Sequence, residues 1–144
     1  MKLYHLSQTP HIEILVPSIP KCAIPMYEDT SIRRVCFSNS ISGCLSALQD
    51  IAGAEFYVYT PIEECDIIVP EPELVNDAHL TGEVWCLDRV KVIFIGKIKI
   101  TYESDHIIDD KSDIGKYRMR INRPLYYINF DYEWIERFDG INKF

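Results

Sequence analysis

At 144 residues, 47% hydrophobic and 26% charged, the chain has the length and composition of one soluble domain with a core of its own. Lys and Arg total 15 against 22 Asp and Glu, and the resulting net charge of −7 argues against broad binding to nucleic acid or an acidic membrane surface. No apolar run approaches the ~20 residues that span a bilayer, and the start Met1-Lys2-Leu3-Tyr4-His5 has no apolar signal-peptide core.

Leu3–Ser7 reads as a short first strand closed by the turn signal Thr9-Pro10. Ile12–Val16 is apolar, and Pro17, Pro20 and Pro25 then stiffen a long loop of the kind that covers functional sites. Val35-Cys36-Phe37 is a strand-type run that feeds the helix-capping triplet Ser38-Asn39-Ser40. Ile41, Cys44, Leu45, Leu48, Ile51 and Ala52 form one helical stripe, with Gly53 at its close. Arg33 and Arg34 upstream and free amides at the helix start make this junction a seat for a phosphate or pyrophosphate. Because residues in a strand alternate in facing, at most one of the two arginines can point into it.

Glu55–Thr60 is β-rich and ended by Pro61; residues 61 to 82 read as irregular, with one short strand at Ile67-Ile68-Val69. The carboxylates between Glu63 and Glu73 match no cation-loop spacing and read as a solvated loop. Glu83–Leu87 is a strand, and Val90–Tyr102 alternates as a long strand with one buried face and a bulge or bend at Gly96. Residues 103 to 115 are polar and loop-like. Lys116–Ile121 and Leu125–Ile128 are expected to pair, and Asp131 caps a last helix through Phe138, stapled by Phe130 and Ile135. The five cysteines (22, 36, 44, 65, 86) include no CxxC pair, and reduced, buried thiols in a cytoplasmic protein are the simplest account. The expected architecture is a single α+β domain over 1–144, a mixed or antiparallel β-rich core of six to seven strands with two main helices.

Three segments resemble the ADP-ribosyltransferase superfamily, in particular the branch with rifampin ADP-ribosyltransferase and the tRNA 2′-phosphotransferases. Leu3-Tyr4-His5-Leu6-Ser7 is similar to the first-strand motif, an aromatic or apolar residue, then His, then a small hydroxyl residue. Val35–Ser40 resembles the second-strand motif, and Thr81–Leu87 is similar to the late acidic strand, with Phe56–Tyr59 between them. The resemblance implies NAD as cofactor, with His5 on the cofactor ribose, Ser38 and Ser40 supporting the pocket, and Glu83 steering the reaction. On the same footing Ser7 belongs to the cofactor set, Tyr57 or Tyr59 would stack on a flat ring, and Arg33 or Arg34, Arg34 foremost, would hold the pyrophosphate as a fork-shaped donor. Position 81 is Thr, where arginine- or asparagine-modifying relatives carry Glu or Gln, so no acceptor residue is assigned.

The alternative is a non-catalytic interaction protein, a small phage or mobile-element accessory with a degenerate or unrelated α+β fold and a protein partner. Glu83 and His5 facing one cleft would favour the first reading, and burial or wide separation of the two the second. A nucleic-acid module would need a continuous basic patch from Lys116, Arg118, Arg120 and Arg123.

Overall fold

Apolar alternation settles into two antiparallel sheets in the computed structural model, which describes residues 2–21, 28–46, 51–71, 73–75, 81–107 and 126–138. In chain order the elements are β1 (His5–Ser7), β2 (Ile14–Leu15), β3 (Val35–Ser38), α1 (Ile41–Ser46), β4 (Glu55–Pro61), β5 (Glu83–Cys86), β6 (Val90–Ile107) and β7 (Tyr126–Arg137). The larger sheet runs β1-β4-β6-β2, with β7 also on β6; β3 and β5 form a two-stranded ribbon. Tyr4 and Ser38 exchange backbone hydrogen bonds at 2.8 and 3.0 Å, tying the start of β1 to the end of β3. The chain is thus a β-rich single domain with antiparallel sheets.

The apolar residues of β6 bury both faces of the larger sheet in turn, not one face throughout. Between Val58 and Tyr59 of β4 the register shifts, so that Gly96 faces Val58 while Phe94 faces Tyr59, and Ile95 is the extra residue. A one-residue bulge turns the following side chains over. Val90 and Val92, with Phe94 packed on them, therefore join Tyr59, Leu3 and the β3–β5 ribbon, whereas Ile98 and Ile100 join Ile41 and Leu45 of α1 with Phe56 and Val58. Gly96 is suited to the turnover: its φ is +153°, and a Cβ there would lie 2.5 Å from the Glu136 carbonyl oxygen and from the Trp134 ring.

Other expectations are corrected. The last helix expected is not formed, since Asp131–Arg137 belongs to β7. Phe130, Tyr132 and Trp134 alternate with Asp131 and Glu133, and the apolar three pack on the Ile98–Ile100 cluster. Aromatic residues at period two against an open strand edge outweigh a lone capping signal. The loop expected at 103 to 115 starts later, because β6 continues to Ile107, where it pairs with Tyr126. The partner strand expected at Lys116–Ile121, with its basic residues, lies outside the described residues, as do Leu48 and Cys22. The strand expected at Ile67–Val69 is a single bridge, Ile68 to Trp85. No helix among the described residues is long and apolar enough to cross a membrane.

Candidate functional site

The β3–β5 ribbon pairs Ser38 with Glu83, Phe37 with Val84, Cys36 with Trp85 and Val35 with Cys86. Alternation puts Val35, Phe37, Val84 and Cys86 into the core shared with the larger sheet, and Cys36 and Trp85 on the opposite face with Ile32 and Val75. At the Ser38–Glu83 end, β1 and α1 close in. The result is a cleft of about 180 Å³ lined by His5, Cys36, Phe37, Ser38, Cys44, Thr81 and Glu83, with Leu6 and Gly43. His5, Ser38 and Glu83 come from three strands and lie together there.

The protonation pattern of His5 follows from its partner. Its Nδ1 lies 3.0 Å from the Cys36 carbonyl oxygen, which only accepts, so Nδ1 carries the proton and Nε2 is left as an acceptor. Burial holds the His5 pKa below the ordinary imidazole value, against the carbonyl bond, which favours the charged form. The Phe37 ring packs against it at 6.0 Å, near edge-on.

Glu83 is held by its own strand. The Trp85 indole Nε1 donates to Glu83 Oε2 at 2.7 Å, a bond allowed because residues two apart share a face. The Arg34 guanidinium lies over the same indole, 4.1 Å from the ring centre. Glu83 sits beside two thiols that burial, with a contribution from its own charge, pushes up to about 12: Cys36 and Cys44. Such thiols stay protonated near neutrality and are weak nucleophiles.

Ser38 is a structural brace as well as a wall. Its hydroxyl donates to the Thr81 carbonyl oxygen at 2.5 Å and accepts from the Ser40 amide at 3.3 Å. Ser40 caps α1, its Oγ accepting from the Gly43 amide at 2.9 Å. Side chains of the chain itself thus take the Ser40 and Gly43 amides at the helix start, where a phosphate seat was expected. Gly43 allows the close approach, because a Cβ would collide with the Thr81 carbonyl oxygen and Ser38 Oγ. Thr81 was not singled out as a site residue, yet its Oγ1 is buried and has no hydrogen-bond partner among the described residues. Cys44 escapes a sequence reading because on the helical stripe it reads as packing, and Gly43 because it has no side chain to signal a site.

Besides Ser40, four residues of the expected cofactor set stand outside the cleft lining. Arg34 is buried at 2% exposure and donates through Nη1 to the carbonyl oxygens of Asp29 (2.8 Å) and Ile32 (2.9 Å), with ion pairs to Asp29 and Glu28. It cannot serve as a pyrophosphate fork. Tyr59 is fully buried; its hydroxyl donates to the Thr9 carbonyl oxygen at 2.7 Å and accepts from the Ile12 amide, so the ring is core and not a stacking platform. Tyr57, half-buried, packs against Phe94 with Lys97 over its ring. Ser7 accepts from the Thr9 amide at 3.0 Å, the turn that ends β1.

A larger cleft of about 380 Å³ lies elsewhere, lined by Lys2, Leu3, Thr60, Glu63, Glu64 and Cys65 among others. Volume alone does not make it the site, because the smaller cleft is where a neutral imidazole and an anchored carboxylate converge. No group of three or more His, Cys, Asp or Glu among the described residues is disposed to hold a metal ion. Comparison with protein-family models, characterised proteins and solved structures gave no match.

Proposed function

We propose that this cleft binds the nicotinamide–ribose end of NAD and that the chain is an ADP-ribosyltransferase-like protein, passing ADP-ribose to an acceptor. The observation that carries the reading is the convergence of His5, Ser38 and Glu83 on one cleft from three separated strands. The donor set fits such a ligand. Nε2 of His5 accepts from a ribose hydroxyl and positions it. NAD supplies the bond between nicotinamide and ribose, whose breaking builds positive charge on the sugar. The Glu83 carboxylate, fixed by the Trp85 indole, is preorganised to stabilise that charge. The volume admits one end of the dinucleotide, since whole-ligand pockets run to roughly 300–1,000 Å³.

One observation favours the second reading, a non-catalytic interaction protein. Among the described residues no Lys or Arg lines the cleft, and Arg34 is spent on Asp29 and Glu28, so no described cation there meets a pyrophosphate. A titration with NAD, followed by thermal shift and by nicotinamide release, separates the readings. On the first, NAD stabilises the wild type, His5→Ala weakens that stabilisation, and Glu83→Gln lowers nicotinamide release by about 100-fold or more. Binding without release would leave a nucleotide-binding protein with no transferase chemistry. No shift at millimolar NAD would overturn the proposal in favour of a protein partner.

A further inference from the structure

Cys65 and Cys86 belong to two segments that the backbone holds together. Ile68 and Trp85 exchange hydrogen bonds at 2.8 Å in both directions, so the irregular stretch after β4 is laid along β5. Beside that bridge the Cys86 thiol donates to Cys65 Sγ at 2.9 Å, and both cysteines are free. Their surroundings differ. Cys86 is 2% exposed in the core, whereas Cys65 is half-buried and lines two open clefts, one with Glu63, Glu64, Lys2 and Thr60, the other with Arg89 and Lys91. One sulfur is open to a small reagent, and the other is in place to resolve what forms there.

We propose that Cys65 and Cys86 are a dithiol modification site that a low-molecular-weight disulfide of the glutathione type converts to an intramolecular disulfide. The Cys65 sulfur, as thiolate, attacks one sulfur of oxidised glutathione, forming a mixed disulfide and expelling one glutathione thiolate. The Cys86 sulfur, losing its proton, then displaces the second glutathione from Cys65. Two protein thiols are oxidised to one disulfide, one glutathione disulfide is reduced to two thiols, and the two protons end on the released glutathione. The order of attack follows the hydrogen bond, since the donor Cys86 keeps its proton until Cys65 has reacted. The link fastens the segment between β4 and the Ile68 bridge to β5, the strand whose first residue is Glu83.

The test uses the full chain, reduced and then held under native conditions in an about ten-fold excess of oxidised over reduced glutathione. Most of the protein is expected to lose two hydrogens in intact mass and to regain them with dithiothreitol. Cleavage after Glu64, Glu73 and Glu83 puts the two sulfurs on separate peptides, and these should be recovered joined. In Cys65→Ser the joined peptides should be absent. A chain that keeps its reduced mass, a link joining any other cysteine pair, or a stable glutathione adduct at Cys65 would overturn the proposal. The readout comes from the wild-type chain, so it survives a variant that does not fold, and it is independent of NAD binding.

Discussion

The two faces of the β3–β5 ribbon have the same length and nearly opposite characters. One carries Val35, Phe37, Val84 and Cys86 into the shared core; the other carries Cys36, Ser38, Glu83 and Trp85, with Arg34 over the indole. Period-two alternation thus separates what holds the ribbon to the larger sheet from what arranges the carboxylate, on the same eight residues. Substitutions on the first face should cost stability at large, and those on the second should disturb the cleft more than the fold. Phe37→Ala is the largest expected effect of the first kind. Phe37 is 2% exposed, and its loss leaves a cavity between the sheets, so unfolding free energy should fall by about 3–5 kcal/mol in urea titrations. A loss below ~1 kcal/mol would show that the ribbon does not anchor on this ring.

Trp85→Phe is its counterpart. It keeps an aromatic plane under Arg34 but removes the Nε1 donor from Glu83, a hydrogen bond to a charged group worth about 1.5–3 kcal/mol. With NAD as ligand, nicotinamide release should fall through kcat with KM little changed, because the carboxylate is misplaced and the binding walls remain. An unchanged kcat together with a loss of stability would make Trp85 a packing residue only.

The two strands of the ribbon were legible in the sequence, at Val35–Phe37 and Glu83–Leu87, because apolar, β-rich runs bounded by turn residues leave little else to decide. The grouping of His5, Ser38 and Glu83 came only with the resemblance; the pairing of Ser38 with Glu83 and the tie of β1 to the end of β3 are what set the three on one cleft. Other features were not legible, and each failed for a physical reason. The bulge at Gly96 was visible as a glycine, but only the partner strand shows that Ile95 is the extra residue and that the apolar series changes face. Arg34 reads as a free fork until Glu28 and Asp29, six and five residues earlier, fold back on it. Tyr59 reads as an accessible ring until the turn at Thr9 takes its hydroxyl. Asp131 reads as a cap, yet an open edge of β6 offers its neighbours a whole ladder of hydrogen bonds.

Gly43→Ala probes the seam between the faces, where α1 presses on the segment entering β5. The added methyl meets a backbone carbonyl and the braced hydroxyl of Ser38, neither of which can swing away, so overpacking should cost about 1–3 kcal/mol. More telling is the effect on the ligand. Displacing Thr81 and Ser38 should abolish stabilisation by NAD while the chain still unfolds in one cooperative transition. Retained stabilisation would separate the cleft from the proposed function.

The smallest effect expected is a pH dependence from His5. Its folded pKa lies below the ordinary value of 6.5, so between the two values the unfolded chain binds the proton more readily than the folded one. Stability from this group is therefore fully present above pH 6.5 and is lost as pH falls through the folded pKa. His5→Gln, which cannot titrate, should show a shallower loss over that window than wild type in thermal melts, and parallel curves would assign the slope to other groups. NAD sharpens the sign. A ribose hydroxyl donating to Nε2 needs the neutral ring, so ligand-induced stabilisation should persist below pH 6.5 and disappear only once His5 gains its second proton. Stabilisation that instead grows on acidification would mean that the ligand meets an imidazolium, and the acceptor role given to His5 would be wrong.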